Sequence, residues 1–260
     1  MGGQIILNYE KTYLAVCFTA NYLPGAIALD RALKRTNAKY GLVVVCFDDP
    51  GIIGPLRKND IKYHIVQPIE LPDYIDDINR KTNHSNWTNT FTKLKIFGLT
   101  QYSKIVFLDC DLLIIDNIDF LFDRPHMSAV SAGMRYGMNM GVPFNAGMMV
   151  IEPNREVEDK LIDLLLTMSK DRSDPFSDND VLCALYPEWD KQEELHLSDR
   201  YNLIYETIHN YIEDGLLNED DFVIIHFTGP VKPWMEKYLN PCRDPISCKY
   251  LQMYLDQLKK

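Results

Sequence analysis

Apolar positions along the chain follow two rhythms. Tyr13–Thr19, Leu42–Phe47 and Tyr63–Val66 are short, nearly continuous runs rich in β-branched residues, whereas Tyr22–Arg35 and Ile52–Asn59 place apolar residues at helical spacing. Continuous runs fit strands covered on both faces, and the alternation predicts βαβ units on a parallel sheet. A helix is predicted over Phe91–Leu99, after the capping candidates Thr88, Asn89 and Thr90, and it feeds the run Lys104–Phe122, KIVFLDCDLLIIDNIDFLF. Beyond that run the pattern predicts a helical turn at Asn117–Phe122. Strands follow at Met127–Ala132 and Met148–Glu152, on either side of the Gly/Met-rich loop GMRYGMNMGVP. Helix Val157–Met168 carries Leu161, Leu164, Leu165 and Met168 on one face, a second helix opens at Asp178, and the polar stretch 187–221 predicts little regular structure. A last apolar strand begins at Val223, and Cys248–Leu258 predicts a closing helix. The expected fold class is α/β, one domain over residues 1–260 with a mostly parallel mixed sheet flanked by helices.

Composition agrees with one sizeable core: 260 residues, 46% hydrophobic and 25% charged. The net charge of −10 argues against nucleic acid or an acidic membrane surface as partner. No run reaches the roughly 20 apolar residues that span a bilayer, and no leader pattern is recognisable, so the expected location is cytoplasmic. Four of six cysteines lie in apolar runs; only Cys242 and Cys248 could pair locally, and free thiols are the favoured reading.

Two stretches carry candidate chemistry. Asp109 and Asp111 interrupt the apolar run at 104–122, and alternation along a strand would project both carboxylates to one side, where they could grip a hard cation or a metal-held diphosphate. Like charges so close should repel, so neutralising Asp111 is expected to leave the fold intact or stabilise it. The second stretch, VIIHFTGPVKPW, ends a β-branched run in His226, which can complete an oxygen and nitrogen metal shell. Gly229 then lets backbone N–H groups approach an anion, and Lys232 supplies a point charge to phosphate. Read singly, Asp-x-Asp is a solvated strand end and His226 a core histidine; the combination favours a metal site.

The motifs FLDCDLLIIDNIDFLF, FNAG at Phe144–Gly147, SDNDVL and HFTGPVKPW, in that order, resemble glycosyltransferase family 8 in its glycogenin-like branch. The resemblance implies a Rossmann-like GT-A domain that binds a nucleotide sugar and a retaining hexosyl transfer dependent on Mn²⁺ or Mg²⁺. It implies that Asp109 contacts donor ribose and metal, Asp111 chelates the metal and His226 completes the ligands, with Gly229 and Lys232 on the donor phosphates. Lys93 would reach the donor, Asn145 and Asp178 would lie by the transferred sugar, and Thr19, Asn21 and Tyr22 would bind uracil and ribose. UDP-glucose is the first donor implied, UDP-galactose the second. The acceptor is a saccharide or protein hydroxyl, including a tyrosine of the chain itself or of a homodimer partner. In YNLIYETIHNYIEDG the position of the family's modified tyrosine holds His209, which leaves Tyr205 and Tyr211 as the expected exposed acceptors. Two rivals stand beside this reading: a phosphatase using Asp-x-Asp as nucleophile and acid, which expects the motif on the first strand, and an inactive sugar-binding scaffold.

Overall fold

A computed structural model describes residues 10–81, 90–132, 143–170, 173–229, 231–235 and 244–259. The first half follows the alternation: β1 (Glu10–Cys17), α1 (Leu23–Arg35), β2 (Leu42–Cys46), α2 (Pro50–Lys58), β3 (Lys62–Ile65) and α3 (Asp73–Lys81). Local chemistry sets the boundaries. Proline opens both α1 and α2 at the helix start, where its missing N–H costs nothing. Asp49 caps α2 by accepting from Gly51 N–H at 2.7 Å. Phe91–Gly98 coils as a 3-10 helix rather than the expected α-helix and leads into β4 (Tyr102–Leu108). There follow β5 (Leu112–Ile114), β6 (Ala129–Ser131), β7 (Phe144–Ile151), α4 (Arg155–Met168) and α5 (Asp178–Leu185). The polar stretch expected to be irregular holds 3-10 turns, but also β8 (His196–Leu197), β9 (Leu203–Ile204) and α6 (Ile208–Glu213), before β10 (Ile224–His226) and α7 (Pro245–Lys259).

Among the described residues the strands form two sheets. The larger has the order β3-β2-β1-β4-β7-β6-β8, parallel from β3 to β4 and antiparallel across β4/β7 and β7/β6. The smaller has the order β5-β10-β9, with β10 antiparallel to β5 and parallel to β9. Ile105, Val106, Phe107 and Leu108 of β4 are all fully buried, alternate side chains entering two different clusters, as a central strand covered on both faces requires. One cluster packs β1 and β4 against α1 and α2; the other packs them against the 3-10 helix, α4 and α5. Each such side chain contributes about 1.5–3 kcal/mol on burial. A third cluster holds the small sheet to α7 through Leu113, Ile225, Tyr250 and Tyr254. Among the described residues no helix is long and apolar enough to cross a membrane. Cys17, Cys46, Cys110 and Cys183 are free thiols, whereas the Cys242–Cys248 pairing and most of the Gly/Met-rich loop lie outside the described residues.

Candidate active site

The Asp-x-Asp motif does not lie within a strand as expected. β4 ends at Leu108, residues 109–111 turn, and β5 begins at Leu112, because the chain changes sheets there. Asp109 N–H donates to Gly147 O at 2.8 Å and stays with the large sheet. Asp111 O accepts from Phe227 N–H at 3.1 Å, and the register Leu112↔His226 sets Asp111 beside His226 in the small sheet. The carboxylates thus converge across a seam between sheets. Asp109, Asp111 and His226 bring ligand atoms within 4.8 Å of one another.

Two ammonium groups flank them. Lys232 Nζ donates to Asp111 Oδ2 at 2.5 Å and to Phe227 O at 2.9 Å; Lys93 Nζ lies 3.2 Å from Asp109 Oδ1 and 2.9 Å from Asp178 Oδ2. Lys93, Asp111, Asp178, His226 and Lys232 are all buried, so each polar group depends on its partners. Lys93 is no solvated helix residue: its Nζ also sits 4.8 Å above the Phe107 ring. Burial would push the Lys93 ammonium toward neutrality, but Asp109 and Asp178 outweigh it and hold it charged. Burial also pushes the Asp109 carboxyl above its ordinary range against the pull of Lys93, whereas at Asp111 the same burial is overcome by His226 and Lys232, which hold that carboxyl well below it.

Asp178 is not the cap of α5. Ser177 is, in a capping box with Asp180, which leaves the Asp178 carboxylate to Lys93. Asn145 lies on β7, and its Oδ1 accepts from Gly147 N–H at 2.8 Å and from Asn202 Nδ2 at 3.0 Å. Asn202 completes a chain to His226, Oδ1 to Nδ1 at 2.8 Å. Sequence reasoning passed over Asn202, since one asparagine in a polar stretch carries no signal by itself.

Thr19, Asn21 and Tyr22 form the turn after β1, closed by Tyr22 N–H to Thr19 O at 3.0 Å. This turn is clipped to the Lys232 stretch: Trp234 Nε1 donates to Asn21 O at 2.7 Å, and its ring meets Tyr22 edge-on at 5.8 Å. A Cβ at Gly25 would come within 2.5 Å of Cys110 O, so α1 backs directly onto the Asp-x-Asp turn. The space over Gly229 is open, its nearest neighbour for an added Cβ being Val231 O at 4.0 Å; Pro230 lies outside the described residues. Tyr205 and Tyr211 are buried, contrary to the exposure expected of acceptors: Tyr205 donates to Ser247 O at 3.1 Å and Tyr211 to Asp199 Oδ2 at 2.7 Å.

The donor set of two carboxylates and one imidazole suits a divalent cation of the Mn²⁺ type. Asp111 Oδ1 is buried without a hydrogen bond and faces His226 Nε2 at 3.2 Å, an unbonded acceptor that a cation would satisfy. The three residues therefore fit a metal.

Comparison with known proteins agrees with this architecture. Residues 13–238 match the family model described as glycosyl transferase family 8. Human glycogenin-1 is 32% identical over 236 residues, covering 88% of this chain and 63% of its own length. Glycogenin-1 of Caenorhabditis elegans is 30% identical over 230 residues, covering 86% of this chain and 51% of its own length. The chain thus spans about half to two thirds of those relatives. Among solved structures, the galactosyltransferase LgtC in complex with donor and acceptor sugar analogs superposes with a TM-score of 0.62 at 15% identity, covering 95% of both chains. The fold is that of GT-A glycosyltransferases, and the chain belongs to glycosyl transferase family 8.

Proposed function

We propose that this chain, as one catalytic domain over residues 1–260, transfers a hexose from a UDP-sugar to a hydroxyl with retention at the anomeric carbon, and that the donor is UDP-glucose. The observation that carries the reading is the convergence of Asp109, Asp111 and His226 beside Lys93 and Lys232, two oxygens and a nitrogen for a cation with two ammonium groups for a diphosphate. Mn²⁺ or Mg²⁺, when bound, supplies positive charge against the departing diphosphate. Lys232 holds the donor phosphates from its buried position, and the open backbone at Gly229 admits them closely. Asp178, paired with Lys93, sets negative potential near the sugar, where the anomeric carbon gains positive charge. Asn145, with Oδ1 engaged twice, offers its amide N–H₂ to a sugar oxygen. Thr19, Asn21 and Tyr22 receive uracil and ribose at the end of β1, where ligands of parallel sheets gather.

The acceptor is a separate saccharide or protein hydroxyl, because Tyr205 and Tyr211 are core residues with engaged hydroxyls. A homodimer is one arrangement that would bring a protein acceptor to the site. The buried free thiols suit a reducing compartment and support a cytoplasmic location. A phosphatase reading loses ground, since both oxygens of Asp111 face cationic or ring nitrogen partners rather than an open nucleophilic path. The test incubates the purified chain with Mn²⁺ and a panel of nucleotide sugars, following UDP release and the intact mass of protein and added acceptors. UDP-glucose turnover abolished by chelator and by Asp111→Asn is the expected result. Turnover of none of the donors, or full activity of Asp111→Asn, would overturn the assignment.

A further inference from the structure

Directionality in the hydrogen-bond chain behind His226 is forced from one end. A backbone N–H can only donate, so the Asn145 oxygen, 2.8 Å from Gly147 N, is its acceptor. Asn202 approaches that same oxygen at 3.0 Å and must therefore present its N–H₂. Its remaining atom, Oδ1, lies 2.8 Å from His226 Nδ1 and can only accept, so Nδ1 carries a hydrogen. Nε2 is then the ring nitrogen turned to Asp111 Oδ1, 3.2 Å away, within the ligand cluster.

We propose that Asn202 is the positioning residue of this site: held by Asn145 and Gly147, it keeps His226 protonated at Nδ1 so that a cation meets Nε2 and nothing else. The proposal rests on the metal reading above. Burial supports it, since Asn202 is 5% and His226 4% exposed and water has little access to substitute for the amide. Gly147 serves the same end twice. Its N–H starts the chain, and its missing side chain gives the imidazole room, an added Cβ falling 2.4 Å from His226 Cε1. Because Gly147 O also accepts from Asp109 N–H, one peptide segment aligns an oxygen ligand and the nitrogen ligand together.

The test titrates Mn²⁺ into the nucleotide-free full chain and counts free ion by electron paramagnetic resonance, for wild type, Asp111→Asn, Asn202→Leu and Asn202→Asp. Asn202→Leu, which removes the acceptor, should bind Mn²⁺ roughly tenfold to a hundredfold more weakly. Asn202→Asp keeps an oxygen for Nδ1–H but loses the donation to Asn145 Oδ1, so it should bind Mn²⁺ more tightly than Asn202→Leu and less tightly than wild type. A second readout needs no variant: in ¹⁵N spectra of histidine-labelled wild type with Cd²⁺, His226 should show a protonated Nδ1 and metal on Nε2. Wild type binding no better than Asp111→Asn would remove the metal reading itself, and the proposal with it. Wild-type binding lost in Asp111→Asn but unchanged in a folded Asn202→Leu, or metal on Nδ1 in wild type, would overturn the role of Asn202 alone. Should Asn202→Leu not fold, the wild-type ¹⁵N spectrum decides alone, metal on Nδ1 overturning the role of Asn202 and metal on Nε2 with Nδ1 protonated supporting it.

Discussion

Asp111 is the residue on which the buried ammonium of Lys232 depends, which sets a lost ion pair against the expectation that neutralising it relieves repulsion. Lys232 Nζ lies 2.5 Å from the Asp111 carboxylate and is buried with it. Asp111→Asn leaves the Lys232 ammonium facing a neutral amide and should destabilise the protein by about 3 kcal/mol in urea unfolding, the scale of breaking one side of a buried pair. The sign with pH follows from the lowered carboxyl of Asp111. A group depressed by folding stabilises above its unfolded value and loses that stabilisation as pH falls, so the gap between wild type and Asp111→Asn should be full at neutral pH and shrink below about pH 4. Asp178→Asn tests a different role. It should leave UDP affinity near wild type by calorimetry while slowing transfer by roughly a hundredfold, the scale of losing one preorganised electrostatic partner. Nucleotide affinity falling with the rate would move Asp178 from the sugar to the phosphates.

Among the elements, β7 and β10 approach each other closely at Gly147. Gly147→Ala would press a methyl against His226 Cε1 and Asn145 Oδ1, at 2.4 and 2.8 Å. It should cost about 1–3 kcal/mol by overpacking and abolish Mn²⁺ binding with every ligand intact. Gly54→Ala, on the exposed face of α2 with nothing within 4 Å of the added Cβ, should instead raise stability by about 0.5–1 kcal/mol. Melting curves for the pair separate the two cases. The periodicity made β1 to β3 and their helices legible to within a few residues, because a strand covered on both faces and a one-faced helix leave different spacings. The break at Asp109 was not legible. Apolar residues continue on both sides of it, and what ends β4 is a change of sheet set by pairing with distant β10. Tyr205 and Tyr211 read as surface because their neighbours are polar, yet α7 and Asp199 supply partners no local pattern records. Motif residues such as Asp109, Asp111, His226 and Lys232 were legible as a group, while Asn202 gains meaning only through the atoms it touches.

For the whole molecule, the candidate metal site lies where two sheets meet, with Asp109 following the large sheet and Asp111 and His226 held by the small one. A cation bound there stabilises only the folded form, by about 2.7 kcal/mol at a hundredfold excess over its dissociation constant. Saturating Mn²⁺ should therefore raise the melting temperature of wild type by several degrees and that of Asp111→Asn by none, read by scanning calorimetry; an equal rise in both would place the ion elsewhere. The wide separation of these ligands along the chain has a kinetic consequence. Asp111 and His226 are neighbours only through the β5/β10 pairing and lie nearly half the sequence apart, so an unfolded chain must close a long loop before it can offer both to one ion. The ion then cannot gather its own ligands early; it finds them after the small sheet has formed. It acts as a lock on a finished structure rather than a seed for it. In stopped-flow experiments Mn²⁺ should leave the refolding rate where it is and slow unfolding alone.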